Sequence, residues 1–444
     1  MVKINRHTDR QANRLPVSGR RKILRLYQRI GSGIGHISSI LQNLYNILQL
    51  VTTIPTQLNQ PNPYLSPKQK LTDLSPAQRT WKVFKRNKIA VAGLLFIILI
   101  TLVAILGYLI MPDSTPDANN MTIQLSIKKP GSQFMMLRLR KTEPVDTFNI
   151  FHKMFFGQPS FYTDIPITGY RATKDSIYVQ TYVSAEDKPE PMAYYTPKGG
   201  KYGDAAPPLG GWGIIHKTFL LGTDVYGRDL LSRLILGSRV SLSVGLMSVI
   251  ISMLLGVTIG AMAGYFGGWI DGVFSWLMNI LWSLPALLLV IAISFALGKG
   301  LWQIFIAVGL SMWVEVARLV RGQVLSLKQV EYVEAARSLG FNNTRIITRH
   351  ILPNIIGPIL VLASSNFASA ILLEAGLSFL GFGAQPPMPT WGSMIKEHYG
   401  YIVMDSAYLA VMPGLAIMLV VYAFNLVTVG LRDAFDIKSQ STRI

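Results

Sequence analysis

Six apolar runs limit this chain more than anything else in it: Ile89–Met111, Val240–Phe266, Val273–Leu297, Leu301–Leu319, Ile355–Phe379 and Ala407–Val429. About 20 helical residues cross the hydrocarbon core of a bilayer, and each run is close to or above that length. Inside a membrane the backbone must satisfy its own hydrogen bonds, which leaves helices as the way for such runs to cross. With half of its residues hydrophobic and only 15% charged, the chain reads as an all-α polytopic membrane protein. The first run begins near Ile89, too late for a cleavable signal peptide, so it is expected to be a permanent anchor.

Charge gives the expected sidedness. The formal net charge is +19, and residues 1–88 alone hold sixteen Lys/Arg against two acids, Asp9 and Asp73. The cluster RTWKVFKRNK stands directly before the first run, which places the N-terminus in the cytoplasm. Counting crossings, residues 112–238 then lie outside, the segment between the fourth and fifth runs lies inside, and the C-terminal tail from 433 lies inside. Arg318, Arg321, Lys328, Arg337, Arg345 and Arg349 all fall on that inner side. Nucleic acid is a poor explanation for this charge, because no aromatic-interleaved platform or recognition helix accompanies it.

Two regions lie outside the bundle. In the tail 1–88, Ile30, Ile34, Ile37, Leu41, Leu44, Leu48 and Val51 recur at three- and four-residue steps, the spacing of an amphipathic helix that either lies on the inner membrane surface or binds a partner. PTQLNQPNPYLSP follows as an irregular linker. In 112–238, MTIQLSIKKP and DSIYVQTYVSA alternate in polarity and are separated by Pro/Gly turns such as TPKGGKYGDAAPPLGG. They predict a β-rich domain of about 100 residues inserted before the second run.

Much chemistry is excluded. Cysteine is absent, so disulfides and thiolate ligands or nucleophiles are ruled out. The six histidines are scattered with no metal-binding spacing, no Walker phosphate loop occurs, and GSGIGHIS lacks the loop's lysine. The runs are almost free of mid-span charge, unlike those of an ion-coupled carrier. Glu315 and Glu374 sit near opposite ends of their runs and read as interfacial or packing carboxylates. The chain looks like a pathway without its own engine, a non-catalytic subunit.

The segment 330–353 breaks this pattern. EYVEAARSLG is rich in helix formers, and Gly340 stands where a left-handed stop is needed. Ala335 and Ala336 keep one side small enough for another protein's surface to approach. Asn342 or Asn343 can cap a second helix, which Pro353 ends before the fifth run. A short, rigid, charged helix beneath the membrane is a part suited to transmitting position.

EYVEAARSLG…RHILPN resembles the EAA loop of binding-protein-dependent ABC importer permeases. RTWKVFKRNKIAVAGL, LGTDVYGRDLLSRLILGSRVSLSVG, ARLVRGQVLSL, LLEAGLSFLGFGAQPPMPTWG and MPGLAIMLVVYAFNLVTVGLRDAFD resemble successive blocks of the dipeptide/oligopeptide type, C-subunit branch. The resemblance implies a six-helix type I importer permease fold, with the first helix at 89–111 and the other five in the core at 239–432. It implies a di- or oligopeptide substrate, a sister permease subunit, one or two ABC ATPase subunits and an extracytoplasmic solute-binding protein. ATP and Mg would then sit on the ATPases and no cofactor on this chain. By position it implies that Tyr332, Glu334, Ala335, Ala336, Gly340, Arg349 and Pro353 form the ATPase-coupling element. Gly222, Thr223, Asp224, Gly227, Arg228 and Asp229 match an outer block with a structural or docking role. An importer of another solute, such as nickel or opines, is the alternative within the family, and a stand-alone secondary transporter the alternative outside it.

Overall fold

The computed structural model describes residues 75–141, 144–172, 176–183, 190–195 and 213–436. The amphipathic pattern at 30–51, the linker after it, the turn at 196–211 and the tail beyond 436 lie outside the described residues. Two helices open the described chain, α1 (Pro76–Arg86) and α2 (Lys88–Ile110), separated by Asn87, whose side chain caps α2 by accepting from the Ala90 amide. The bundle continues with α4 (Leu230–Phe266), α5 (Gly268–Ser283), α6 (Ala286–Leu297) and α7 (Leu301–Leu327). It is completed by α8 (Glu331–Ser338), α9 (Ile356–Leu380), α10 (Trp391–His398) and α11 (Tyr408–Phe435). A short helix α3 (Ile150–Phe156) lies in the insert.

Five helices among the described residues are long and apolar enough to cross a membrane, and a bent pair makes six if it is counted as one crossing. That pair corrects the sequence reading. Val273–Leu297 is not one helix: α5 and α6 meet at a 100° bend. Pro285 has no amide hydrogen to continue the helical ladder, and it forces Leu284 into an extended conformation (ψ 136°). The second span also starts earlier than its apolar run, since α4 begins at Leu230 and has 37 residues. At 1.5 Å per residue it outreaches a roughly 30 Å hydrocarbon core.

The most extensive helix contact is between α4 and α7. Its cause is a four-residue repeat of Gly256, Gly260 and Gly264 on α4, which lets the two backbones meet. A Cβ built on Gly260 would lie 2.5 Å from the Ala317 carbonyl oxygen and 2.9 Å from Val320 Cβ. Gly260→Ala is therefore expected to overpack the seam and cost about 1–3 kcal/mol. The measurement is the apparent melting temperature of the purified assembly, with exposed Gly272→Ala as the neutral comparison. The other layers form as α9 packs on α11 and α4, and α11 packs on α2.

The insert carries a five-stranded, fully antiparallel sheet of order β4-β3-β2-β1-β5. Its strands are β1 (Ser132–Arg140), β2 (Tyr162–Ala172), β3 (Ser176–Thr181), β4 (Glu190–Tyr195) and β5 (Ile214–Phe219). Alternation sends neighbouring residues to opposite faces. Leu137 packs with Ile167, Ile177 and Val179 on one face, while Met136 packs with Leu125 and Phe219 on the other. DSIYVQTYVSA supplies β3, as its alternation predicts. MTIQLSIKKP does not form a strand. Its backbone groups are taken by the loop before α4: Thr223 Oγ1 donates to the Leu125 carbonyl, and the Ile127 amide donates to the Asp224 carbonyl. The first strand is instead SQFMMLRLR.

Candidate functional site

Two sites stand at opposite ends of α4. The first is α8 and the segment after it. Leu339, Gly340 and Phe341 close α8 with paired backbone bonds, Gly340 N to the Arg337 carbonyl and Phe341 N to the Ala336 carbonyl. This closure needs a left-handed residue, and Gly340 has φ 77°. Asn342 then caps the next turn by accepting from the Thr344 amide. From Asn343 the chain is helical through to Leu380, passing through a π-helical stretch (Ile346–Ile351) and a 3₁₀ turn (Leu352–Ile355). Pro353 therefore does not end a helix. Its missing amide hydrogen and ring change the type of helix inside a continuous run, at the first turn of the 3₁₀ piece.

The two alanines part company here. Val333 and Ala336, three residues apart, face inward and pack with Tyr265, Val320, Val324, Ile346 and Ile351. Ala336 is 4% exposed, so its small side serves the chain's own core and offers nothing to another protein. Helical periodicity turns Glu331, Tyr332, Glu334, Ala335 and Ser338 the other way, and all of these are exposed, as are Leu339 and Arg349. Leu339 is 74% exposed, an apolar side chain standing clear at the end of the helix.

Side chains fix α8 at its angle. The Asn354 side-chain amide donates both to Tyr332 Oη (3.1 Å) and to the His350 carbonyl (2.7 Å). Tyr265 Oη bonds Asn343 Oδ1 at 2.9 Å, and the Arg337 and Lys328 cations lie over the Tyr265 ring. The Arg345 guanidinium stacks 4.3 Å from the Phe341 ring centroid. The result is a braced helix with an open face, joined to the ends of α4, α7 and α9.

The second site is the block before α4. Gly222 and Gly227 both have positive φ (78° and 70°) and pass so close to the Lys128 and Thr122 carbonyls that a side chain would collide with them. Asp224 is fully buried; its Oδ1 accepts from the Tyr226 and Arg228 amides, and its Oδ2 accepts from Arg228 Nε at 2.5 Å. The same Arg228 reaches Glu397 of α10 at 2.9 Å and Asn119 at 3.3 Å. Arg233 of α4 lies 3.5 Å from both carboxylates. Asp229 caps α4 by accepting from the Ser232 amide, and burial pushes its carboxyl above the usual range. Thr223 ties in residues 125–128 through bonds with Leu125 and Lys128.

Asp224, Glu397 and His398 bring potential ligand atoms within 4.8 Å of one another. Two guanidinium groups already balance the two carboxylates, so a cation would enter a neutral cluster against Arg228 and Arg233. Burial pushes the His398 imidazole below its usual range, and its Nδ1 donates to the Met394 carbonyl. The cluster is a clasp that holds the α2–α4 connection, the start of α4 and α10 together. The sequence reading finds its GTDVYGRD half and misses Arg233, Glu397 and His398. Those residues become neighbours only through the chain path, although the Thr390/Ser393 capping box of α10 marks the helix that delivers two of them.

Residues 256–439 match the family described as binding-protein-dependent transport system inner membrane component. Residues 75–128 match the N-terminal TM domain of oligopeptide transport permease C. The glutathione transport system permease protein GsiD of Pectobacterium atrosepticum is 45% identical over 221 residues, covering 50% of this chain and 73% of that protein. The dipeptide transport system permease protein DppC of Alkalihalophilus pseudofirmus is 44% identical over 220 residues, covering 50% and 72%. Among solved structures, an inward-facing MetNI methionine ABC transporter aligns at 19% identity with a TM-score of 0.37, over 46% of this chain and 97% of that one. With nearly three quarters of GsiD and DppC matched at these identities, the chain belongs to the family of binding-protein-dependent transport system inner membrane components and is a permease subunit of an ABC importer.

Proposed function

We propose that the chain imports peptides, from dipeptides to short oligopeptides, as one of two permease subunits that enclose the pathway, with both of its termini in the cytoplasm. ATP and Mg bind partner ATPases, this chain holds no catalytic group, and a solute-binding protein delivers the peptide to the face that carries the sheet. The observation that carries the reading is α8: a braced helix whose outward face is open while its inward face is locked into the bundle. When the ATPases close, α8 moves with them and switches the bundle between its two access states. Similarity to dipeptide and glutathione permeases supports the peptide substrate. Concentration of Lys and Arg at the α8 end supports its cytoplasmic placement.

Glu315 favours a sister subunit. It is exposed on α7, in line with Ser311 and Gly322 at helical spacing. An acid on a spanning helix is costly against lipid and belongs against protein or a water-filled path. Arg318, one turn on, bonds Asn279 at 2.8 Å and stacks on Trp282, which extends the polar strip towards the bent pair. The expected result is that the tagged chain, purified from native membranes in mild detergent, brings down an ATPase and a second permease. Recovery of the chain alone, still active in ion-driven uptake after reconstitution, would overturn the proposal.

A further inference from the structure

The helix α3 (Ile150–Phe156) carries bulky apolar side chains that the rest of the described residues leave more than half exposed: Ile150, Phe151, Phe155 and Phe156 are between 53% and 74% exposed. It is not a loose appendage. Arg239 of α4 donates to the carbonyls of Met154 (2.8 Å) and Phe155 (2.9 Å) at the end of α3. The same guanidinium donates to the carbonyls of Ala104 (2.8 Å) and Ile105 (2.7 Å) in α2. A second tie follows directly, from the Gln158 amide to the Ser114 carbonyl at 2.9 Å. One side chain thus staples α3 to a spanning helix at a defined level.

That level is informative. Ala104 and Ile105 lie five or six residues inside the end of α2 at Ile110. At 1.5 Å per residue this puts the last turn of α3 about 8 Å below that end. Amphipathic helices that lie in a bilayer surface bury their apolar face by about 5–10 Å. From that level up to its end α2 exposes Ile105, Leu109 and Ile110, an aliphatic surface of a membrane-spanning helix. The opposite requirement, that an arginine at this depth be satisfied, is met by its four carbonyl partners and by the rings of Tyr108 and Phe155 at 5.0 and 5.9 Å. Lys153 is half-buried and His152 exposed, so the helix also carries polar groups that suit headgroups.

We propose that α3 is a membrane-interface helix: it lies in the leaflet on the side of the sheet, with Ile150, Phe151, Phe155 and Phe156 among the acyl chains, and fixes the height of the inserted domain above the bundle. The absence of cysteine from the chain makes the test clean. Phe151→Cys, Phe155→Cys and, as a water-exposed comparison on β3, Tyr178→Cys are introduced singly into the full chain, in its assembled complex in sheared native membranes. A charged maleimide is added, and the tagged chain is then isolated under denaturing conditions. Labelling at 151 and 155 is expected to be at least about tenfold below that at 178, as for side chains sunk below the headgroups. In parallel, benzoylphenylalanine placed at 151 or 155 and photolysed in the same membranes is expected to yield phospholipid adducts. Labelling equal to that at 178 would place the helix in water and overturn the proposal. Protection accompanied by adducts to a protein, whether a partner or this chain's own domain, would overturn it as well.

Discussion

Ala335→Arg will leave the chain inserted and at normal abundance, yet will abolish import and weaken ATPase co-purification at least about thirtyfold, the scale of losing a central contact in a protein interface. Its neighbour gives the opposite pattern. Ala336→Arg drives a charge into the cluster of Val333, Tyr265, Ile346 and Ile351, where no partner awaits it, so abundance falls before coupling can be assayed. The contrast follows from one helical step. Residue 335 stands on the exposed face with Glu331, Glu334 and Ser338, and residue 336 on the buried face with Val333. A solvated loop with no partner would tolerate Ala335→Arg within about 0.5 kcal/mol and keep transport intact. That outcome, with the ATPase still bound at wild-type level, would remove α8 from the coupling role. Arginine is the informative choice because exposed α8 already carries charge, so solubility and helix propensity change little.

The spans were legible because membrane helices report themselves through length and apolarity, and those two properties need no tertiary context. Gly340 was legible for a similar reason: a helix that stops after Leu339 needs a left-handed residue, and glycine provides it cheaply. What escaped the sequence depends on where the chain goes next. The 100° bend at Pro285 sits inside an unbroken apolar run, and apolarity alone cannot distinguish a kink from a straight crossing. MTIQLSIKKP has strand-like alternation, but Thr223 and Asp224, about a hundred residues later, claim its backbone. Ala335 and Ala336 look equivalent as letters until the position of the bundle decides which one faces in. Glu397 carried no local signal, since its partners Arg228 and Arg233 lie more than 160 residues earlier in the chain.

That clasp yields the largest stability effect expected away from α8. Asp224→Ala should destabilise the assembled subunit by about 3–5 kcal/mol, the range for removing one member of a buried ion network. Asp224 is fully buried, and the side chains of Arg228 and Arg233 are 3% and 1% exposed. Without the aspartate, two buried guanidinium groups share Glu397 alone, and the amides of Tyr226 and Arg228 lose their acceptor. The excess positive charge, more than the missing bonds, sets the size of the effect. Two further variants separate these causes. Asp224→Asn keeps an oxygen for the turn while removing the charge, and should retain most of the electrostatic cost. Asp224→Asn combined with Arg233→Met restores neutrality and should recover part of the loss, a coupling that independent sites do not produce. Thermal unfolding of the purified complex measures all three, and limited proteolysis between residues 112 and 130 reports whether the α2–α4 connection has come loose. If Asp224→Ala unfolds within about 0.5 kcal/mol of the unmodified protein, the two arginines are finding water or other acceptors in solution. The block before α4 would then be held by Thr223, Asp229 and the two positive-φ glycines, with the charges contributing little.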